Sequence, residues 1–361
     1  MSVSIVMSVF NKALFLKKTI NSVLSQSHED FEFIIVDGGS TDDSLRIINS
    51  IKDKRIKIYS QYNTGIAGAR NFGIRVSKYE LISFIDADDE WNLDFLEEII
   101  LLKDSYKDCK AFVTAYTKKY PRYDEDVVIK SKNKNGIIKD YFLKRISGWG
   151  VHTSSVAIYK KEILITGGFP VLIGSQIENK SYVIDINGEI IFEVEANLVL
   201  DKGKWVRDIE NLIFKPKSIK NIDSYKISVP GIPGEDQYLW DMIALNYKYA
   251  YSKKILSLWN GDVPNQATTN PNELPIYPHL ISLYQNRKKN SLIISKYLNY
   301  LFQDLVFKIK KLNKEDFIIL LKLHHYFEWN KFIKKEFNSN IIKLIVILNN
   351  YLFRFKNKLI K

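Results

Sequence analysis

Residues 82–91 read ISFIDADDEW. An apolar run, Ile82, Phe84 and Ile85, ends in Asp86, Asp88 and Asp89, with Glu90 beside them. Carboxylates crowded this closely repel one another, and one or more is driven toward protonation unless a cation joins them. An Asp-x-Asp pair offers oxygen ligands suited to hard divalent cations, Mg2+ or Mn2+. Such an ion can bridge a diphosphate and neutralise it as it leaves. Alone, the motif equally fits a solvated turn followed by a helix cap. Its setting favours the chemistry, because a second acidic strand end, IIVDGG (34–39), precedes it. Glu235-Asp236, in PGIPGEDQYLW, is the other acidic pair of interest. A carboxylate that opens a helix among apolar neighbours can be tuned as a general base. The same residues would also serve as ordinary acids at a helix start.

The elements that must position these groups alternate. SVSIVMSVF (2–10), FEFIIVD (31–37), RIKIYSQ (55–61) and ELISFID (80–86) read as strands. Between and after them, residues 14–27, 44–51, 66–78 and 93–105 carry helical spacing, with Thr41 or Asp42 capping the second helix and Gly65, Gly68 and Gly73 around the start of the third. Strand–helix alternation with short Gly/Asp turns predicts a parallel α/β sheet. In such sheets ligands sit beyond the carboxyl ends of the strands. Ser8 to Asn11, Asp37 to Ser40 and Asp86 to Asp89 would therefore meet in one crevice. Asp89 is also placed to cap the following helix. Residues 111–116 and 153–159 read as further strands. Asn187-Gly188 between two apolar runs signals a hairpin, within a β-rich insertion at about 174–230. Asp236 opens a helix whose Leu239, Met242 and Ile243 face inward. From about residue 280 the chain reads as helical, ending in a stripe of Ile341, Ile345, Leu348, Leu352, Phe355 and Leu359.

The net charge of +12 is unevenly placed. Residues 287–361 hold 17 Lys and Arg against 5 Asp and Glu, while the first 286 residues hold 36 of each. A basic appendage of this kind suits a membrane surface or nucleic acid; a solvated helical face gives the same count. The single Cys109 excludes an intrachain disulfide and suits a reducing compartment. The opening MSVSIVMSVF reads as a strand rather than a signal peptide, and no apolar run reaches membrane-spanning length. These features predict a cytoplasmic protein. There is no Walker loop and no zinc-ligand spacing.

In order and spacing, SVSIVMSVFNKALFLKKTINSVLSQSHEDFEFIIVDGGSTDDSLRII, NTGIAGARNFGI and LISFIDADDEW resemble the family 2 glycosyltransferases, and the likeness resumes at GGF (167–169) and GEDQYLW (234–240). The resemblance implies a GT-A, Rossmann-like fold: a mostly parallel sheet flanked by helices, with the β-rich insertion and the helical basic C-terminal region added. It implies a catalytic domain over 1–280, with a nucleotide-binding half at about 1–110 and an acceptor half at about 111–280, followed by the C-terminal region 281–361. It also implies a nucleotide-sugar donor, most naturally a UDP-sugar, and a Mn2+ or Mg2+ cofactor. Ser8, Phe10, Asn11 and Asp37 would hold the base, Arg70 the base or phosphate, and Asp86 with Ala87 the sugar nucleotide near the ribose. Asp88 would bind the metal. Asp236 would be the catalytic base, with Glu235 the runner-up. Gly38 departs from the family's usual Asp-Asp-Gly-Ser and removes one side chain from the base contact. Tyr238 and Trp240 pack an acceptor pocket or the core; Trp149 and His152 line the acceptor side or serve structure.

The implied activity is inverting transfer of one sugar to a hydroxyl of a glycan or lipid-linked saccharide, in O-antigen, lipopolysaccharide or capsule synthesis. The basic tail would then associate peripherally with the inner face of the cytoplasmic membrane, pack on the catalytic domain, or form a homodimer through its stripe; nucleic acid is not an expected partner. A nucleotidyltransferase is the alternative enzyme, disfavoured because MSVFNKALF lacks a Gly-rich phosphate loop. A catalytically degenerate glycan-binding or scaffold protein is the non-enzymatic alternative.

Overall fold

The computed structural model of the 361-residue chain describes residues 1–61, 64–120, 125–131, 135–175, 177–178, 180–195, 204–206, 218–220, 224–229, 234–261 and 296–297. The chain divides into two compact units, Met1–Lys289 and Asn290–Lys361. The expected helical basic region 281–361 and its apolar stripe lie outside the described residues, apart from 296 and 297.

The first unit begins with β1 (Val3–Val9), α1 (Ala13–Leu24), β2 (Phe31–Asp37), α2 (Ser44–Ser50), β3 (Ile56–Ser60), α3 (Gly65–Val76), β4 (Leu81–Phe84), β5 (Glu90–Trp91) and α4 (Phe95–Ser105). It continues through β6 (Cys109–Tyr120), β7 (Glu125–Ile129), β8 (Gly136–Ile137), α5 (Tyr141–Ile146), a 3-10 turn at Thr153–Ser155, β9 (Val156–Tyr159) and α6 (Lys160–Thr166). It closes with β10 (Val171–Ser175), β11 (Lys180–Ile184), β12 (Ile190–Glu195), β13 (Lys204–Val206), β14 (Lys226–Val229), α7 (Glu235–Asn246) and β15 (Lys248–Asn260).

Among the described residues, the larger sheet runs β3-β2-β1-β4-β9-β6-β15-β5, with β7 on β6 and β8 on β15. Its first four strands are mutually parallel. β9 then runs antiparallel to both β4 and β6. The apolar runs explain the parallel half: β2 is buried along its whole length, as a strand covered on both faces must be. Phe33 and Ile35 are fully buried, each worth about 1.5–3 kcal/mol of transfer free energy. α3 lies close on β1, and a Cβ at Gly73 would overlap Val6 Cγ1. Buried Glu32 is carried by hydrogen bonds from Ser4 Oγ, Lys57 Nζ and the Lys78 N–H.

The second sheet is antiparallel, in the order β12-β11-β10-β14-β13. It starts at Val171, slightly before the expected 174. The hairpin falls where Asn187-Gly188 signals it: Ile184 pairs with Ile190, and Gly188 takes φ 80. Among the described residues no helix is long and apolar enough to cross a membrane.

Candidate active site

Three strand ends meet. The chain leaves β1 at Phe10, which stays 43% exposed, and turns at Asn11, which adopts a left-handed φ of 54. Asn11 Oδ1 accepts the Thr41 N–H at 2.8 Å, and Ser40 Oγ accepts the Asn11 N–H at 3.0 Å. Ser44 Oγ accepts the Lys12 N–H at 2.9 Å. These bonds tie the turn after β1 to the turn after β2. In the second turn Asp37 is buried, and its carboxylate accepts the N–H groups of Gly39 and Ser40. A Cβ at Gly38 would meet Val9 O at an ordinary 3.5 Å, so glycine there is not a steric requirement. Ser8 Oγ is enclosed and makes no hydrogen bond.

The third end is the Asp86–Asp89 turn, closed by the Asp89 N–H donating to Asp86 O. Asp86 takes Arg70 Nη2 at 2.6 Å. Burial pushes the Asp86 carboxyl up, but Arg70 and His152 outweigh it and hold the group below its ordinary value. Ala87 is buried, and its carbonyl accepts Thr19 Oγ1 at 3.0 Å. Asp88 meets Lys12 Nζ at 2.6 Å. Burial raises the Asp88 carboxyl; Lys12 opposes the rise and Asp86 adds to it. Asp89 is fully buried and accepts His152 Nε2 at 2.7 Å, Ser154 Oγ at 2.6 Å and the Asn260 N–H at 3.1 Å. Burial pushes its carboxyl up to about 6 even so. Asp89 therefore does not cap the next helix: α4 starts at Phe95 with Asp94 at its N-cap, and Asp89 points into the protein instead.

The fourth component is α7. Gly234, in the left-handed region at φ 76, turns the chain into the helix, and Glu235 and Asp236 occupy its first turn. Glu235 Oε1 accepts Arg70 Nη1 at 3.2 Å. Burial and the adjacent Asp236 carboxylate push Glu235 up to about 8, against the pull of Arg70. Asp236 accepts the Gln237 N–H at 2.7 Å, and Arg145 donates to Gln237 Oε1. Leu239, Met242 and Ile243 are buried, fixing the helix on the sheet. Tyr238 and Trp240 are core residues, Trp240 lying between Phe84 and Phe169. Trp149 is likewise buried, against Tyr141 and Tyr251.

Arg70 thus joins the acidic turn to the start of α7. Its guanidinium, 4% exposed, also lies 5.1 Å over the Phe169 ring. Phe169 is held in turn by Asn71, whose amide bonds both its N–H and its carbonyl. The GGF stretch therefore supports Arg70 through Phe169. Four further participants do not stand out in the sequence: Lys12, Ser154, Asn260, and His152 in its role as partner of Asp89. Asn260 Nδ2 also donates to Asp88 O at 2.6 Å. A basic side chain after the first turn and a His-x-Ser ahead of β9 are their only local signals.

Among the described residues, one group in this corner could hold a divalent cation. Oxygens of Asp86 and Asp89 and a ring nitrogen of His152 lie within 4.8 Å of one another. Asp88, with its raised carboxyl, is in the same turn. Oxygen donors with one imidazole suit Mn2+ and, through the carboxylates, Mg2+.

Residues 4–167 match the family described as Glycosyl transferase family 2. That segment carries the family 2 glycosyltransferase likeness, and the fold is of GT-A type. An uncharacterized glycosyltransferase of Nostoc sp. is 41% identical over 103 residues, covering 28% of this chain and 32% of that protein. The UDP-Glc:alpha-D-GlcNAc-diphosphoundecaprenol beta-1,3-glucosyltransferase WfaP of Escherichia coli is 44% identical over 90 residues, covering 25% of this chain and 36% of WfaP. The first three curated relatives are matched over only 32%, 40% and 17% of their length. The fold likeness reaches further than the sequence likeness. The crystal structure of S. aureus TarS 1-349 in complex with UDP-GlcNAc superposes with a TM-score of 0.62 over 90% of this chain and 80% of that TarS fragment, at 16% identity. The matched segment ends before α7, so Glu235 and Asp236 lie outside it.

Proposed function

We propose that the chain transfers one glycosyl residue from a nucleoside-diphosphate sugar to a hydroxyl of a glycan or lipid-linked acceptor, with inversion at the anomeric carbon. The observation that carries this reading is the single Arg70 guanidinium bonded at once to Asp86 and Glu235. It links a donor-side acid directly to the acidic start of α7. On the donor side, exposed Phe10 offers a ring for a base to stack on, and Ser8, Asn11 and Asp37 line the same strand ends. Asp86 and Ala87 would face the ribose, and Asp88, in the same turn as the Asp86–Asp89–His152 group, would hold the cation, Mn2+ or Mg2+. When bound, the cation neutralises the departing diphosphate.

Asp236 takes the proton from the acceptor hydroxyl, whose oxygen attacks the anomeric carbon as the nucleoside diphosphate leaves from the opposite side. Asp236 is preferred to Glu235 because Glu235 is engaged by Arg70 and driven toward its protonated form. General-base action of this kind contributes about 10²–10⁴-fold. UDP-sugars are favoured as donors by WfaP, named for UDP-Glc, and by TarS, which is seen with UDP-GlcNAc. WfaP's lipid-diphosphate acceptor, together with the basic segment 287–361, supports a lipid-linked acceptor at the inner membrane face and a role in O-antigen, lipopolysaccharide or capsule synthesis.

The test is a thermal-shift panel of nucleotide sugars with and without Mn2+. Ligand at a hundredfold its Kd stabilises the fold by about 2.7 kcal/mol. The reading expects one donor to stand out and to need the cation; a panel with no stabilising nucleotide sugar contradicts it.

A further inference from the structure

The Lys12 side chain has a use that the donor site alone does not explain. Lys12 is the N-cap residue of α1, and its backbone is fixed: its carbonyl accepts the N–H groups of Phe15 and Leu16, and its N–H donates to Ser44. Its ammonium reaches Asp88 at 2.6 Å, with both side chains only 12% exposed. An ammonium at a largely buried carboxylate supplies the charge compensation that a divalent cation would otherwise give. Lysine suits this task because its point charge sits on a flexible four-carbon stem. The backbone can stay still while the charge moves a few ångströms.

We propose that Lys12 is the resident counter-ion of Asp88, displaced when a divalent cation binds there and then recaptured by the diphosphate of the incoming donor. The proposal rests on the donor reading given above. Its consequence is synergy. The cation alone must compete with Lys12 for Asp88 and binds weakly. The nucleoside diphosphate brings oxygens that accept the released ammonium, so metal and diphosphate bind together more tightly than either does alone. The Arg70 charge does not serve Asp88 in the same way, because its guanidinium is bonded to Asp86 and Glu235 and lies over an aromatic face.

Calorimetric titration of the full chain tests the handover, using MnCl2 alone, then UDP and GDP at saturating Mn2+, on wild type, Lys12→Met and Lys12→Arg. Lys12→Met should bind Mn2+ alone about tenfold more tightly, and the nucleotide at saturating Mn2+ about tenfold more weakly; charge pairs at close range have coupling energies of this order or more. Lys12→Arg, whose guanidinium grips a carboxylate in a fork, should weaken Mn2+ binding. It keeps the charge at Asp88, so it decides the question if Lys12→Met does not fold. A structural role would move the two affinities of Lys12→Met in the same direction, or neither, and either result overturns the proposal. So would unchanged or tighter Mn2+ binding by Lys12→Arg. If wild type takes up Mn2+ but neither nucleotide, the donor reading falls and the handover with it. If wild type binds nucleotide and Lys12→Met binds it equally well, the handover alone falls.

Discussion

Arg70 Nη1 lies 3.2 Å from Glu235 Oε1 across 165 residues of sequence, while Nη2 of the same guanidinium lies 2.6 Å from Asp86 Oδ1. Removing one partner from a buried charged network costs about 3–5 kcal/mol, because the remaining charges lose their compensation. Arg70→Met should therefore lower the free energy of unfolding by that amount in urea titration. Arg70→Lys should recover only part of it, since an ammonium cannot span two carboxylates with a planar fork.

Asp236→Asn removes the proposed base but keeps the shape of the helix start. Transfer should fall about 10²–10⁴-fold while nucleotide affinity is retained. Glu235→Gln imitates the protonated group and should keep the greater part of the transfer rate. Activity assays paired with nucleotide titration separate the two. Undiminished turnover in Asp236→Asn would move the base elsewhere.

Glu235 also has a pH signature. Its folded-state carboxyl is pushed up to about 8 from an ordinary 4.5. Between those values the folded chain keeps a proton that the unfolded chain has released, so this group makes stability fall as pH rises. Urea titrations of wild type and Glu235→Gln from pH 4.5 to 8 should show a shallower decline in the variant.

Glu32 has the opposite sign. Burial would raise its carboxyl, but bonds from Lys57, Ser4 and the Lys78 N–H hold it below its ordinary 4.5. Its contribution is present above 4.5 and fades as pH falls through the lower folded-state value. Glu32→Gln should cost about 1–3 kcal/mol at neutral pH. The gap to wild type should close in acid, as followed by denaturant titration at several pH values.

His152→Ala leaves Asp89 buried with two hydrogen bonds where it had three. Destabilisation of about 1–3 kcal/mol is expected, and Asp89→Asn in the same background should restore part of it. A double-mutant cycle reads the coupling.

The parallel half of the sheet was legible because strands covered on both faces must be apolar throughout, and FEFIIVD and SVSIVMSVF are nearly so. The three acidic or polar strand ends followed from the same logic. β15 was not legible: Lys253 and Lys254 interrupt YSKKILSLWN, and the ladder itself shifts register between Ser252 and Ile255. β5, at two residues, carries no period at all. The pairing of Lys12 with Asp88 spans 76 residues and that of His152 with Asp89 spans 63. Neither is encoded in local spacing; both arise only when the topology brings strand ends together. Asp89 looked like a helix cap because acids before helices usually are, and three inward hydrogen bonds account for its burial instead.

The most direct test of the account is a crystal structure of the chain with UDP and Mn2+. The prediction is a cation on Asp88, with the diphosphate beside it, the base against Phe10 and Asp37, and Lys12 turned from the carboxylate to a phosphate oxygen. Nucleotide bound away from this crevice, with Asp88 still paired to Lys12, would contradict it.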